Sequence, residues 1–407
     1  MKKISKVIVV ILVNIGFIMN PGYGQDFIHS EGTYLVDSTG RHFDSRGINI
    51  GNWLVPEGYM FKTGEVNSAY KISELFNQLA GPEQARKFWD RYLDNYITKD
   101  DIHYIASLGL NHIRLPFDYK MLTDEDFMER NYRGFEYIDK VIGWCREAGI
   151  YVILDMHCAP CGQTGDNIDD GYGYPFLFNS AECQHEFIEV WRRIAERYAR
   201  DPVVMGYDLL NEPIATYFEK DIAKLNSELE PLYKRTTAAI REVDPNHLII
   251  LGGAQWDGNF GVFGPPFDKN LLYEFHKYWF EVKQEAVQDY VDFRSKYKVP
   301  VYLGESGENS DDWVASFRAL LDKNGIGWCF WPYKKMDNTA GVMNFKQPSD
   351  WPLITSFAKA DRSTYKAIRD NMPDRDRVKQ AMDDFIEQCR FKNCFPNAGY
   401  VKALTAK

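Results

Sequence analysis

Eight short apolar segments are spaced along this chain, and each predicts a strand that is buried on both faces. They are rich in Val, Ile, Leu and Tyr, and they lack the polar-apolar alternation of a half-exposed strand. Strands without a polar face need cover on both sides, which is typical of a parallel sheet flanked by helices. The segments cover residues 47–50, 112–115, 151–156, 203–210, 248–252, 271–275, 299–303 and 327–331.

Amphipathic segments lie between these strands. Apolar residues recur three and four positions apart within 135–148, 187–198, 229–243 and 313–321, which predicts helices. Eight strands alternating with helices predict an α/β fold, a closed (β/α)8 TIM barrel, and 407 residues suit one such barrel with insertions. An open doubly wound sheet is the alternative, but no glycine-rich phosphate turn follows an early strand.

Further segments flank this pattern. Residues 28–45 predict a short N-terminal β-hairpin around the turn 37–40. Residues 55–98 contain two helix-like pieces, which we expect to cover part of the barrel mouth. The end of the chain is charged and helical, then irregular. We therefore expect one barrel domain over 25–374 and a C-terminal helical extension over 375–407 that packs on the barrel or trails from it.

The first residues have the pattern of a targeting segment. A basic head with three lysines precedes an apolar run over 7–19, which is too short to span a bilayer comfortably. We expect residues 1–24 to be a signal peptide cleaved after Gly24, with an uncleaved anchor as the alternative. Cleavage predicts a secreted, periplasmic or cell-surface protein with no membrane attachment. The net charge of -10 excludes a nucleic-acid partner, which would favour a basic surface.

Seven cysteines leave open how many disulfides form. Export permits disulfides, and an odd number leaves at least one free thiol. Cys389 and Cys394 are close enough in sequence to staple the tail. Cys158 and Cys161 have the spacing of a redox motif but lack its strand-to-helix context, so we interpret them as a loop disulfide or two unreactive thiols.

Polar and aromatic side chains stand at the carboxyl ends of six of the predicted strands. Because the carboxyl ends of barrel strands meet at one mouth, these residues become neighbours. Singly, each has a simpler explanation: Asn211-Glu212-Pro213 is typical of a turn, and a lone histidine or tryptophan is typical of a core. Together they would cost free energy to bury unless they have a function. The set is Arg114, His157, Asn211, Glu212, His276, Tyr278, Glu305 and Trp331.

Two glutamates at the ends of the fourth and seventh strands indicate glycosidic bond cleavage. One carboxylic acid protonates the leaving oxygen, and the other attacks the anomeric carbon when the two are about 5–5.5 Å apart. We predict that Glu212 is the proton donor and Glu305 the attacking group. Arg114 and Tyr278 would keep Glu305 ionised by charge and hydrogen bonding.

This set resembles the catalytic residues of glycoside hydrolase family 5, the cellulase-like retaining β-glycosidases, over roughly residues 47–331. In such a site Asn211 can bond a sugar hydroxyl and Trp331 can stack under the ring. The resemblance implies that Glu212 is the acid/base and Glu305 the nucleophile, that Arg114, Tyr278 and His276 support them, and that His157, Asn211 and Trp331 bind substrate.

Two segments, 47–57 and 157–165, look like motifs of the exo-β-1,3-glucanase branch of that family. That likeness implies that Glu57 binds hydroxyls of the terminal sugar. The chain departs from the branch in its loop cysteines and in Trp279, which stands where a small or polar residue is common. These departures bear on linkage and sugar identity. We interpret Glu308 as a solvated neighbour rather than a third catalytic acid.

The sequence thus predicts a retaining hydrolase that cleaves β-glucosidic bonds of a β-glucan or β-glucoside. A β-mannanase or other hemicellulase with the same machinery is one alternative, and a non-catalytic carbohydrate-binding protein is another. The chemistry needs no metal, and no cofactor motif occurs. The expected partner is a β-linked oligo- or polysaccharide. Sugar and linkage specificity, exo or endo action, and oligomeric state are open at this point.

Overall fold

The eight predicted strands pair in sequence order, and the last closes on the first. A computed structural model describes residues 25–123 and 133–406. All eight barrel strands, β3 to β10, are parallel, so the predicted (β/α)8 barrel is confirmed. The strands are β1 His29–Glu31, β2 Tyr34–Val36, β3 Arg46–Asn49, β4 His112–Asp118, β5 Tyr151–Cys158, β6 Val204–Asp208, β7 Leu248–Gly252, β8 Leu271–His276, β9 Val301–Glu305, β10 Gly327–Phe330, β11 Lys334–Met336, β12 Met343–Phe345 and β13 Phe395–Pro396.

Helices connect the strands and cover the outside of the barrel. Their ends follow local chemistry: the Ser310 hydroxyl accepts the N–H of Trp313 at the start of α9, and Gly149 ends α5 with a left-handed φ of 73°. The helices are α1 Gly58–Phe61, α2 Ala69–Ala80, α3 Pro82–Asn95, α4 Lys99–Ser107, α5 Gly134–Ala148, α6 Ala181–Tyr198, α7 Ile222–Arg241, α8 Glu285–Tyr297, α9 Asp311–Lys323, α10 Trp351–Lys359, α11 Tyr365–Asp370, α12 Arg375–Cys389 and α13 Ala398–Thr405.

The strand register brings the candidate residues to one edge of the barrel. Asn49 of β3 lies beside Arg114 of β4, and His276 of β8 lies beside Glu305 of β9. Every residue of β4, β6, β7, β8 and β9 is buried, as the continuous apolar segments predict. The carboxyl ends therefore form the floor of a single site.

The N-terminal hairpin is present, but its turn is not where the sequence predicts it. Strands β1 and β2 pair around Gly32, with Ser30 opposite Leu35. The predicted turn over 37–40 is a second turn, closed by a single bridge between Val36 and His42. Gly32 has a φ of 59°, which glycine adopts readily, so the chain reverses there first. The hairpin buries Leu35 against the apolar groups that fill the barrel at its amino end.

The C-terminal segment packs back on the barrel. Helix α12 lies against α2 and α3, and α13 lies against α9. Strand β13 pairs with β12 in a small sheet beside the barrel. At this junction the buried ammonium of Lys334 is 2.6 Å from Asp101 Oδ1 and donates to the carbonyl oxygens of Tyr96 and Cys389. The end of the chain is thus held in place, where the sequence predicts an irregular tail.

Neither cysteine pair considered from the sequence is bonded. Cys161 instead forms a disulfide with Cys183, at the start of α6. The Cys158 thiol, at the end of β5, faces the carbonyl of Ile168 at 3.1 Å, and Cys389 and Cys394 are free thiols. Short spacing suggested the wrong partners because the path of the loop after β5 carries Cys161 away from its strand.

The predicted signal peptide, residues 1–24, lies outside the described residues. Within the part of the chain that is described, no helix combines the length and apolar character needed to cross a membrane.

Candidate active site

A cleft of about 530 Å³ opens at the carboxyl ends of the barrel strands. Most of the predicted site residues line it, while Arg114 and Asn211 are buried directly beneath. The cleft is lined by Glu57, Tyr59, His157, Ile168, Glu212, Trp256, His276, Lys277, Tyr278, Trp279, Glu305, Glu308 and Trp331.

Glu305 ends β9 and is held by two donors. Arg114 Nη1 lies 2.5 Å from its Oε1, and the Tyr278 hydroxyl donates to its Oε2 at 3.0 Å. Burial raises the pKa of Glu305, while the charges of His276 and Arg114 oppose that rise. Both carboxylate oxygens therefore have a fixed direction at the floor of the cleft.

Glu212 follows β6 in a conformation that its residue type rarely adopts. Its φ is 47°, in the left-handed region. Its N–H donates to Asp257 Oδ2 at 2.8 Å, and its carbonyl accepts the Thr164 hydroxyl at 2.8 Å. Its Oε1 lies 2.9 Å from His276 Nδ1, so hydrogen bonds hold both the main chain and the carboxyl group.

The two glutamates face each other across one histidine. The nearest carboxylate oxygens of Glu212 and Glu305 and one ring nitrogen of His276 all lie within 4.8 Å of one another. His276 Nδ1 is 2.9 Å from Glu212 and 3.8 Å from Glu305. The sequence-based prediction that these strand ends converge is therefore confirmed in its geometry.

Arg114 balances several carboxylates beneath the cleft. Its side chain is fully buried. Besides Glu305, its nitrogens lie 3.0 Å from Asp155, 2.7 Å from Asp208 and 3.4 Å from Glu274. It also donates to Asn211 Oδ1 at 3.0 Å, which fixes the orientation of that amide. Removing this one cation would leave buried negative charge without compensation.

The two histidines of the site have opposite protonation tendencies. Burial lowers the pKa of His157 to about 4, so it is neutral, and its Nδ1–H donates to Asp155 at 2.7 Å. Burial also favours neutral His276, but the carboxylates of Glu305, Asp257, Glu212 and Glu274 raise its pKa well above the usual range. A protonated His276 donates from both nitrogens, so Glu212 Oε1 accepts and its other oxygen is available.

Trp331 forms one wall of the cleft. Its ring lies parallel to that of His157, with centroids 5.7 Å apart and 6° between the planes. A Cβ at Gly51 would come within 2.1 Å of the indole, so only glycine leaves space for it. The indole N–H donates to the Tyr59 hydroxyl at 2.7 Å. The ring face is thereby fixed towards the cleft.

Glu57 and Glu308 stand at the same end of the cleft. Glu57 is only 5% exposed, and within the described residues its Oε1 has no hydrogen-bond partner. Burial raises its pKa well above the usual range, with Glu305 and Glu308 adding to the effect. The sequence-based interpretation of Glu308 as a solvated neighbour is wrong. Its Oε1 is 2.6 Å from the buried Lys335 ammonium and accepts the Tyr59 hydroxyl at 3.3 Å.

The comparisons with known proteins agree with this geometry. The family model described as cellulase (glycosyl hydrolase family 5) matches residues 70–337. The chain belongs to glycosyl hydrolase family 5. Family 5 membership confirms the resemblance inferred from the residues, and the matched segment includes Arg114, Glu212 and Glu305.

Two curated family 5 relatives share about a third of their aligned residues with this chain. A β-xylosidase of Phanerodontia chrysosporium is 32% identical over 304 residues, covering 74% of this chain and 61% of that protein. A probable glucan 1,3-beta-glucosidase A of Aspergillus fumigatus is 31% identical over 227 residues, covering 52% of each. The chain thus spans less than two thirds of either relative.

A rutinosidase from Aspergillus niger shares the fold at a TM-score of 0.57 and 19% identity, over 74% of this chain and 92% of that one.

Several residues of this family 5 site give no signal in the strand pattern. Trp256 and Trp279 line the cleft, and Trp279 is 73% exposed. Asp257, in a loop, accepts the N–H of Glu212, and Lys335, in β11, forms an ion pair with Glu308. Only Trp279 stood out in the sequence, as a large aromatic residue beside Tyr278. The others are found by the contacts that the barrel loops create.

Carboxylates and imidazoles in and beneath the cleft lie close enough together to bind a metal ion. The clusters are Asp155 with His157 and Glu305, Glu212 with His276 and Glu305, and Asp257 with Glu274 and His276. Their atoms already bond one another or Arg114, which is the pattern of an internally balanced charge network.

Proposed function

We propose that this chain is a retaining β-glycosidase that cleaves β-glucosidic bonds of a β-glucan or β-glucoside by double displacement. The observation that carries the proposal is the pair at the ends of β6 and β9: oxygens of Glu212 and Glu305 lie within 4.8 Å of each other. Retaining enzymes hold their carboxyl groups about 5–5.5 Å apart, whereas inverting enzymes need about 6.5–9.5 Å to admit a water.

In the first step Glu305 attacks the anomeric carbon. Arg114 and Tyr278 bind its two oxygens and orient the attacking lone pair. As the new bond forms, the glycosidic C–O bond breaks and Glu212 gives its proton to the leaving oxygen. His276 holds Oε1 of Glu212, so the proton is carried on Oε2.

In the second step Glu212 acts as a base. It takes a proton from water, the water oxygen attacks the anomeric carbon, and the bond to Glu305 breaks. The product keeps its β configuration, and both glutamates return to their starting states.

Substrate binding follows from the groups around the pair. The Trp331 face suits the apolar face of a pyranose, and His157 lines the cleft where it can bond a hydroxyl beside the reacting carbon. Asn211 is buried beneath the cleft with its Oδ1 bonded to Arg114, so its amide N–H is the group that would bond a hydroxyl. Glu57, buried with an unpartnered oxygen among the described residues, suits hydroxyls of the terminal sugar. Together these contacts favour a chain end over an internal unit.

The names of the relatives bear on the sugar. One is called a β-xylosidase and another a probable glucan 1,3-beta-glucosidase, and both names denote action on β-linked sugars. A hemicellulase of the same machinery, such as a β-mannanase, is the second candidate. A non-catalytic binding protein is disfavoured because both glutamates keep their supporting groups.

Release of product from aryl β-glycosides and from laminarin, cellulose, xylan and mannan tests the proposal. We expect the wild type to act on at least one β-glucosyl substrate, and Glu305→Gln to lose about 10⁴-fold or more in kcat. A 2-fluoro glycoside should label Glu305, and azide should restore Glu212→Ala on an activated substrate. Equal rates for wild type and Glu305→Gln on every substrate would refute the proposal that this chain is a glycosidase.

We also propose that residues 1–24 are removed on export, that 25–374 form the catalytic domain, and that 375–407 are a helical extension of it. N-terminal sequencing of the protein recovered from outside the cytoplasm tests the cleavage after Gly24.

A further inference from the structure

Asp257 lies in the loop after β7, directly behind Glu212. It is 1% exposed. Its Oδ2 accepts the Glu212 N–H at 2.8 Å and lies 3.5 Å from His276 Nε2. It therefore touches the main chain of one candidate catalytic residue and approaches the ring that binds the side chain of the same residue.

The loop that carries Asp257 is strained. Gln255, Trp256 and Asp257 have φ values of 53°, 62° and 58°, three consecutive non-glycine residues in the left-handed region. Such conformations are sterically unfavourable for non-glycine residues and persist only where surrounding contacts impose them. Here Gln255 and Asn226 exchange hydrogen bonds through their side-chain amides, and Gly253 bridges Asp257.

Space for the Asp257 carboxylate is reserved by a glycine. A Cβ at Gly252, the last residue of β7, would lie 2.0 Å from Asp257 Oδ1. Any other residue there would displace the carboxylate. The end of β7, the left-handed loop after it and Gly252 together fix the position of the Asp257 side chain.

Asp257 faces the main chain of Glu212, which is also in the left-handed conformation. The carbonyls of Asn211 and Glu212 are held from the β5 side by the Gln163 amide and the Thr164 hydroxyl. Asp257 holds the Glu212 N–H from the β7 side. The two sides together fix the direction of the Glu212 side chain.

We propose that Asp257 is a positioning residue for the general acid: its hydrogen bond to the Glu212 N–H keeps that main chain left-handed and aims the carboxyl group at the glycosidic oxygen. The inference rests on the proposed function. It adds to the set inferred from the family a residue that acts through Glu212 without touching substrate.

The geometry around His276 supports this assignment. His276 Nε2 donates to Glu274 Oε1 at 2.9 Å, so Glu274 is the partner that orients the ring, and Asp257 stands farther away. The short contact of Asp257 is with the Glu212 main chain. Asp257 also helps to raise the pKa of His276, so its placement of the acid has to be separated from this effect of charge, which Asp257→Asn does.

Aryl β-glucosides with different leaving groups test the inference. A 4-methoxyphenolate needs a proton to leave, whereas a 2,4-dinitrophenolate does not. General acid catalysis contributes about 10²–10⁴-fold, so we expect Asp257→Ala to lose about 100-fold in kcat/KM on the methoxyphenyl substrate and less than about threefold on the dinitrophenyl substrate. Rates are normalised to sites counted by the dinitrophenolate burst from a 2-fluoro inactivator, which corrects for unfolded protein.

Two variants serve as controls. Asp257→Asn keeps an oxygen that accepts the Glu212 N–H, so it should keep the wild-type ratio between the two substrates. Asp244→Ala removes another buried acid, which accepts the Tyr207 hydroxyl at 2.7 Å and does not line the cleft, and should change both substrates equally.

Three outcomes decide the matter. A selective loss in Asp257→Ala that Asp257→Asn repairs supports the inference. Equal losses of Asp257→Ala on both substrates would refute positioning, and an equally selective loss in Asp257→Asn would assign the effect to charge and overturn the hydrogen-bond role. If the wild type cleaves neither substrate nor any other β-glycoside, the proposed function itself fails.

Discussion

Arg114 Nη1 and Glu305 Oε1 meet at 2.5 Å at the base of the cleft, and both side chains are buried. Asp155, Asp208 and Glu274 crowd the same guanidinium. One cation is therefore shared between the proposed nucleophile and three carboxylates that point into the barrel. We therefore expect catalysis and stability to depend on the same group.

Replacement of Arg114 by Met should destabilise the fold as well as abolish activity. Breaking a buried ion pair by removing one partner costs about 3–5 kcal/mol, because the remaining charge has no compensation. We expect the free energy of unfolding in urea to fall by about that amount. Arg377→Met, which removes an exposed partner of Asp350, is the matched control and should leave stability nearly unchanged. Equal effects of the two substitutions would contradict the central place of Arg114.

Glu308 should control how firmly the ring of Trp331, on which we expect the sugar to stack, is held in place. It binds Lys335 and the Tyr59 hydroxyl, and Tyr59 in turn accepts the Trp331 indole N–H. Charged hydrogen bonds contribute about 1.5–3 kcal/mol, so Glu308→Gln should lose about 10- to 100-fold in kcat/KM, mainly through KM. Glu281→Gln, which removes an exposed partner of Lys283, should leave both constants unchanged. A loss confined to kcat would argue against a binding role.

The sequence contains enough information to find the barrel and its two glutamates. Buried parallel strands are continuous apolar runs, and the barrel topology then brings their ends together, so Glu212 and Glu305 follow from local patterns. The bounds of the strands are close as well: β7 is observed at Leu248–Gly252, as predicted. These features depend on periodicity and strand order, which a single sequence records.

The positions of the remaining site residues depend on the backbone conformation of the loops. Asp257, Glu308 and Glu212 all have positive φ, and nothing in residue spacing predicts left-handed backbone at Asp or Glu. The same limit explains the cysteines. Sequence spacing left open whether Cys158 and Cys161 bond each other, and it gave no sign that Cys161 bonds Cys183.

The Cys161–Cys183 disulfide should stabilise the loop that borders the cleft. The bond closes a separation of 22 residues, and Ile168 within it lines the cleft. We expect the double substitution Cys161→Ser with Cys183→Ser to lower the free energy of unfolding by about 3 kcal/mol and to raise KM. Peptide mapping under non-reducing conditions checks the pairing directly. A bond between Cys158 and Cys161 in that map would refute the assignment.

Buried His112 should make the fold less stable in mild acid. It is fully buried at the start of β4, with Nε2 2.8 Å from the Tyr302 hydroxyl, and burial lowers its pKa to about 3. The unfolded chain binds a proton at this histidine below about pH 6.5, whereas the folded protein does not until about pH 3. The contribution of His112 is thus complete above pH 6.5 and is lost as pH falls, at about 1.4 kcal/mol per pH unit.

His112→Gln removes this titration and keeps a polar group of similar reach. Urea unfolding of wild type and variant at pH 7, 6, 5 and 4 should show the wild type losing stability relative to the variant as pH falls, because only the wild type has an imidazole that is protonated in the unfolded chain and neutral in the folded one. Buried acids with raised pKa, such as Asp169 at about 6, act in the opposite direction. They are present in both proteins and cancel in the difference. A stability difference that stays constant from pH 7 to pH 4 would show that folding does not lower the pKa of His112.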